Sequence, residues 1–112
     1  MVRRTPETRI RVRDNMGDVL MLRSAVAALF RSVASSQQAR VILDFSEVEF
    51  MSRSFADEYL NAKTRSQKLI VERGVPVNIR RMLALVARQI SSAQARSEIL
   101  DRPVKHAPAV AF

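Results

Sequence analysis

Val41-Ile42-Leu43-Asp44-Phe45-Ser46-Glu47-Val48-Glu49-Phe50-Met51-Ser52-Arg53-Ser54-Phe55-Ala56-Asp57-Glu58 is the stretch that decides the fold. Val41, Ile42, Leu43 and Phe45 form a short apolar run rich in β-branched side chains, the pattern of a strand covered on both faces. Asp44 interrupts the run near its end. Val48 and Phe50 then alternate with Glu47 and Glu49, which predicts two large side chains pointing inward and two carboxylates facing water. Ser54 and Asp57 have capping-box spacing, with Asp where Glu is preferred, so a helix is expected to begin at Ser54.

Upstream, Thr8 to Asp14 alternates Ile10 and Val12 with Arg9, Arg11 and Arg13, the period of an edge or near-edge strand with its three arginines on the outer face. Two readings of those arginines stay open: a solubilising edge, or phosphate-backbone contacts together with Arg3 and Arg4. Asp14 to Asp18 is a turn cluster. Val19, Leu22, Val26, Leu29, Phe30 and Val33 recur at three- and four-residue steps and predict a helix from about Asp18 to Ser35, apolar on one face. Downstream, a second helix is expected from Ser54 through Leu69, Ile70 and Val71 to a stop at Gly74. Val75 to Asn78 suggests a short strand, with Asn78 capping a third helix whose core face is Ile79, Met82, Leu83, Val86 and Ile90. The pattern weakens from Ser91. A single domain over 1–98 is expected, followed by a flexible tail over 99–112 that contains His106.

A chain of 112 residues is one domain of ordinary size, able to bury roughly two-thirds of its unfolded surface. With 47% hydrophobic residues and only two glycines it is expected to fold with substantial helix. It has no cysteine and one histidine, which removes disulfides, thiolate chemistry and most zinc or triad arrangements. No metal and no cofactor is expected. The formal net charge of +8 attracts nucleic acid or acidic protein surfaces. Charged residues follow the N-terminus and no apolar run reaches membrane-spanning length, so a cytoplasmic location is expected.

Alternating strands and helices predict an α/β fold. Within it, Val41-Ile42-Leu43-Asp44-Phe45, Val48-Glu49-Phe50 and Ser52-Arg53-Ser54-Phe55-Ala56-Asp57-Glu58 resemble the STAS-like family of unknown function, which is related to the anti-sigma-factor-antagonist STAS domains. The resemblance covers about Thr8 to Ile90. It implies a small sheet of about four strands packed against about three helices, and a non-enzymatic module for regulatory protein-protein interaction. In STAS antagonists a serine on the strand-to-helix turn is phosphorylated by a histidine-kinase-like ATPase, which switches partners. By that resemblance Ser54 is the phosphoacceptor, and Ser52, Arg53, Ser54, Asp57 and Glu58 form the partner surface. Ser52 stands where the family usually has aspartate, and Phe55 where it usually has glycine. Taken on physical grounds alone, Ser54 is more simply a helix cap, with Ser52 bonding a local turn, while Arg53 offers a countercharge to any phosphate on Ser54. Asp44 is expected to bond turn amides rather than a metal. The competing function is a small basic nucleic-acid-binding protein using Arg9, Arg11 and Arg13.

Overall fold

A computed structural model describes the backbone of residues 6–106 and the side chains of residues 6–92. The elements are β1 (Glu7–Arg11), α1 (Val12–Met16), β2 (Val19–Leu20), α2 (Arg23–Ser35), β3 (Arg40–Asp44), β4 (Phe50–Met51), α3 (Arg53–Arg65), β5 (Leu69–Arg73) and α4 (Val77–His106). β1, β3 and β5 form one parallel sheet in the order β1-β3-β5, while β2 and β4 make a small parallel pair. The α/β class holds. The described residues contain five strands in two sheets and four helices, rather than about four strands in one sheet and about three helices.

Strand order decides where the helices lie. Parallel crossovers are right-handed as a rule, so two successive steps in one direction place α2 and α3 on the same face of the sheet. Side-chain contacts agree with this. Tyr59 Oη and Lys63 Nζ of α3 donate to Glu72 of β5, and Thr8 of β1 shares a 2.6 Å hydrogen bond with Ser36 at the end of α2. Ile10, Val41, Leu43 and Ile70 bury their side chains with Val26, Leu29 and Val33 of α2 and with Phe55 and Tyr59 of α3. Tyr59 sits centrally, with its ring centroid 5.8 Å from those of Phe30 and Phe45. α4 packs on α3 and buries Ile79, Leu83 and Val86 in the same core.

The opposite face of the sheet carries no helix among the described residues. Register sets three rows across the sheet, each with its β3 residue in the middle: Glu7, Arg40 and Leu69; Arg9, Ile42 and Val71; Arg11, Asp44 and Arg73. Ile42 is 5% exposed and yet stands outside the main hydrophobic cluster; its register neighbours are Arg9 on β1 and Val71 on β5. Arginine stems can shield an apolar residue while their guanidinium groups stay in water. An all-parallel sheet normally has both faces covered, so this bare face is unusual.

Several local expectations give way to longer-range bonds. The first strand stops at Arg11, and Val12, fully buried, already opens α1. Arg13 therefore leaves the strand and pairs with Glu47 at 3.2 Å. Val19 and Leu20 form a strand instead of a helical turn: the Asp18 carbonyl accepts the Glu49 and Phe50 amides, and the Leu20 carbonyl accepts the Ser52 amide. α2 consequently starts at Arg23 and leaves Val19 and Leu22 exposed. Phe50, expected inward, is 44% exposed, whereas Val48 is buried as expected.

The helix expected to reach Gly74 ends at Arg65. Ser66 Oγ accepts the Lys68 amide, and Leu69 to Arg73 become β5. Gly74 ends that strand with φ 62°, where a Cβ would run into Ser46 Oγ and lie 3.0 Å from Asp44 Oδ1, so close approach as well as conformation calls for glycine. Val75 to Asn78 is no strand. α4 begins at Val77, and the Asn78 side-chain amide donates to the Glu49 carbonyl at 2.9 Å instead of capping the helix. The helix continues to His106, through the first residues of the expected tail, whereas 107–112 lie outside the described residues.

Candidate functional site

At the turn into α3 the two serines divide the work differently from the spacing argument. Ser52, not Ser54, is the N-cap: its Oγ accepts the Phe55 amide at 3.0 Å and donates to the Met21 carbonyl at 2.7 Å. The hydroxyl thus closes α3 and ties it to the segment leading into α2. Extended backbone at Ser52 presents the side chain to the amide three residues on, as a cap requires. Ser54 lies inside the first turn, exposed, and its hydroxyl has no hydrogen-bond partner among the described residues.

The charged residues around Ser54 are organised by α2 and α4. Asp57 and Glu58, three and four residues on, share its side of the helix. Arg23 at the start of α2 donates to both, at 3.3 Å to Asp57 and 3.1 Å to Glu58, and Arg65 reaches Glu58 at 3.4 Å. Arg53, expected as the countercharge at Ser54, instead donates to Gln89 Oε1 on α4. The cation placed on the Asp57 and Glu58 side is Arg23, which sequence reasoning missed. The sequence carries no signal for it, because the expected helix begins at about Asp18 and nothing local joins Arg23 to residues 34 and 35 positions away.

Beside this turn lies an exposed apolar ledge. Val19 and Phe50 are cross-strand neighbours in the β2-β4 pair, 47% and 44% exposed, and Met21 and Leu22 continue the exposed run. The Met21 carbonyl bonded to Ser52 joins the ledge to the α3 turn. The expected partner residues Ser52, Arg53, Ser54, Asp57 and Glu58 are therefore together in space, but Ser52 is committed to the cap.

Asp44 ends the central strand and is 8% exposed. The Ser46 hydroxyl, and next the Ser46 amide at 2.9 Å, hold its carboxyl below the usual range; burial opposes them, and the Arg9 guanidinium at 3.1 Å adds to them. The expected bond to turn amides is present. Arg9 and Arg11 share the bare sheet face, whereas Arg13 does not join them. Among the described residues no helix is long and apolar enough to cross a membrane.

No family model matches this chain, and no curated protein or solved structure matches it.

Proposed function

We propose that this chain is a non-enzymatic, STAS-like regulatory module of the cytoplasm that binds a protein partner on the Val19, Met21, Leu22 and Phe50 ledge and the adjoining Ser52 to Glu58 turn. The observation that carries this reading is the contiguity of the ledge with the α3 turn. Single exposed apolar residues are ordinary, but a cluster set against a polar rim is the arrangement of an interaction surface. Binding rather than catalysis is favoured because the carboxylates nearest Ser54 are already held by Arg23 and Arg65.

Ser54 is the switch in this proposal. Phosphate there would add about −1.5 to −2 charges at the positive end of α3. It would also crowd Asp57 and Glu58 and compete for Arg23, changing the charge of the turn beside the ledge. By resemblance, the kinase and partner is an ATPase of the histidine-kinase-like type.

The test uses nuclease-treated native extract with ATP. The unaltered chain should retain one defined protein that Phe50→Glu loses, and should gain a phosphate that Ser54→Ala does not. Retention of the same protein by Phe50→Glu removes the ledge from the interface. Unchanged phosphate incorporation in Ser54→Ala, or none in the parent, ends the switch reading.

A further inference from the structure

The helix-free face of the β1-β3-β5 sheet lies apart from the α3 turn and makes a second surface. Its three rows are Glu7, Arg40 and Leu69; Arg9, Ile42 and Val71; Arg11, Asp44 and Arg73. Four arginines face two carboxylates across three strands. Between them Ile42 is buried, Val71 is half-buried and Leu69 is 58% exposed at the edge. Arg40 bonds Glu7 at 3.1 Å and Arg9 bonds Asp44 at 3.1 Å, so both guanidinium groups are spread across the face rather than projecting from it. Arg11 meets only the exposed Asp14 of α1, at 3.6 Å, and Arg73 has no ion-pair partner among the described residues.

We propose that this face binds the sugar-phosphate backbone of a single-stranded nucleic acid through Arg9, Arg11, Arg40 and Arg73. This inference goes beyond the protein-partner reading and uses none of its residues. Alternate residues of a strand stand about 6.6 Å apart and neighbouring strands about 4.8 Å apart, so the arginines form a flat grid on the scale of successive phosphates. Arg9, whose side chain is 61% exposed, has donors left for a phosphate while it stays on the buried Asp44, the half-exposed Arg40-Glu7 pair exchanges partners at little cost, and the net positive charge of the face favours a polyanion. Leu69 and the half-buried Val71 give an apolar edge beside the cations for sugars and base faces, which a single strand exposes and a duplex keeps stacked inside. A second copy of the chain fits worse, because face-to-face packing would oppose arginine to arginine.

The experiment is fluorescence anisotropy with a labelled oligothymidylate of about 20 nucleotides, titrated from about 50 to about 200 mM salt on the whole chain. Four phosphate contacts give a slope of log affinity against log salt of about −2.8 for a single strand. Charge reversal at Arg11 and Arg73 keeps the Arg9-Asp44 and Arg40-Glu7 pairs, and should lower affinity at least about tenfold and halve the slope to about −1.4. Reversal at the exposed Arg31 and Arg88, on α2 and α4, changes net charge equally and should cost less than about threefold. Circular dichroism confirms that each variant is folded, and Arg11→Gln with Arg73→Gln provides a milder pair.

Equal losses in the two reversed pairs would reduce the effect to net charge and overturn the site. So would absence of binding at about 50 mM salt, or polyglutamate displacing the oligonucleotide at equal charge. A duplex that binds as tightly as the single strand overturns the single-strand assignment. A dimer in sedimentation that Leu69→Glu dissociates would show that a second copy covers the face.

Discussion

The two faces of the β1-β3-β5 sheet hide neighbouring residues to nearly the same degree by unlike means. Leu43 is 0% exposed and Ile42 5% exposed, side by side in β3. Leu43 belongs to the core shared with α2 and α3, whereas Ile42 lies outside that cluster on the helix-free face, in register with Arg9 and Val71. Lost accessible area is therefore a poor proxy for packing here. A dense helix-covered core cannot refill a deleted side chain, while arginine stems at a surface can settle into the gap and water can reach what remains.

Truncating the two neighbours separates these cases most sharply. Leu43→Ala should cost about 4 kcal/mol and Ile42→Ala about 2 kcal/mol, read from urea denaturation midpoints with unchanged slope. Equal losses would show that the arginine-covered face is packed like a core, and would break the contrast.

The central strand and the buried face of α2 are legible locally, whereas the cover expected on both faces of that strand is present on one only. Val41 to Phe45 announces a buried strand by its β-branched run, and Arg40 to Asp44 forms one at the centre of the sheet. The period of Val26, Leu29 and Val33 likewise finds the buried face of α2. Errors came where two local patterns coincide and a distant partner chooses. Val19 and Leu22 have helical spacing with Val26, but the carbonyls of Asp18 and Leu20 are claimed by amides near β4. Leu69, Ile70 and Val71 extend a helical run on paper. The Ser66 bond to Lys68 ends that helix, and pairing with β3 makes them a strand.

The candidate site was legible as a neighbourhood, not as an assignment of roles. Both Ser52 and Ser54 are chemically able to cap, and the Met21 carbonyl 31 residues away selects Ser52. The same limit applies to the sheet face. That Arg9 and Arg11 alternate is visible in sequence, but that they share a surface with Arg40 and Arg73 depends on register between strands.

The contrast between committed and free groups extends to the two serines, with a smaller effect. Ser52→Ala removes the acceptor for the Phe55 amide and the donor to the Met21 carbonyl, and should cost about 1 to 2 kcal/mol. Ser54→Ala should stay within about 0.5 kcal/mol, since its exposed hydroxyl holds nothing in place. Thermal melting of the pair checks both. A reversed order would return the cap to Ser54 and leave the α3 turn with no uncommitted hydroxyl to modify.

The smallest effects distinguish the faces by the direction of their pH response. On the bare face, Asp44 releases its proton more readily when folded, chiefly because the Ser46 hydroxyl and amide stabilise the carboxylate. Its contribution is therefore complete above the unfolded value of about 3.9 and is lost as pH falls through the lower folded value. The stability gap between the parent and Asp44→Asn should narrow as the medium is acidified through that window. On the helix-covered face, burial and then the Glu72 carboxylate push the Tyr59 phenol well above its ordinary range. The neutral phenol is the form the fold holds, so its contribution is complete below the unfolded value of about 10 and disappears as pH rises toward the folded value. Tyr59 is the single tyrosine, so its ultraviolet phenolate band can be followed without overlap. That band should appear together with loss of circular dichroism in alkali. A phenolate band growing while the chain remains folded would show that water reaches the centre of the helix-covered face, and the physical distinction between the two sides of the sheet would fail there.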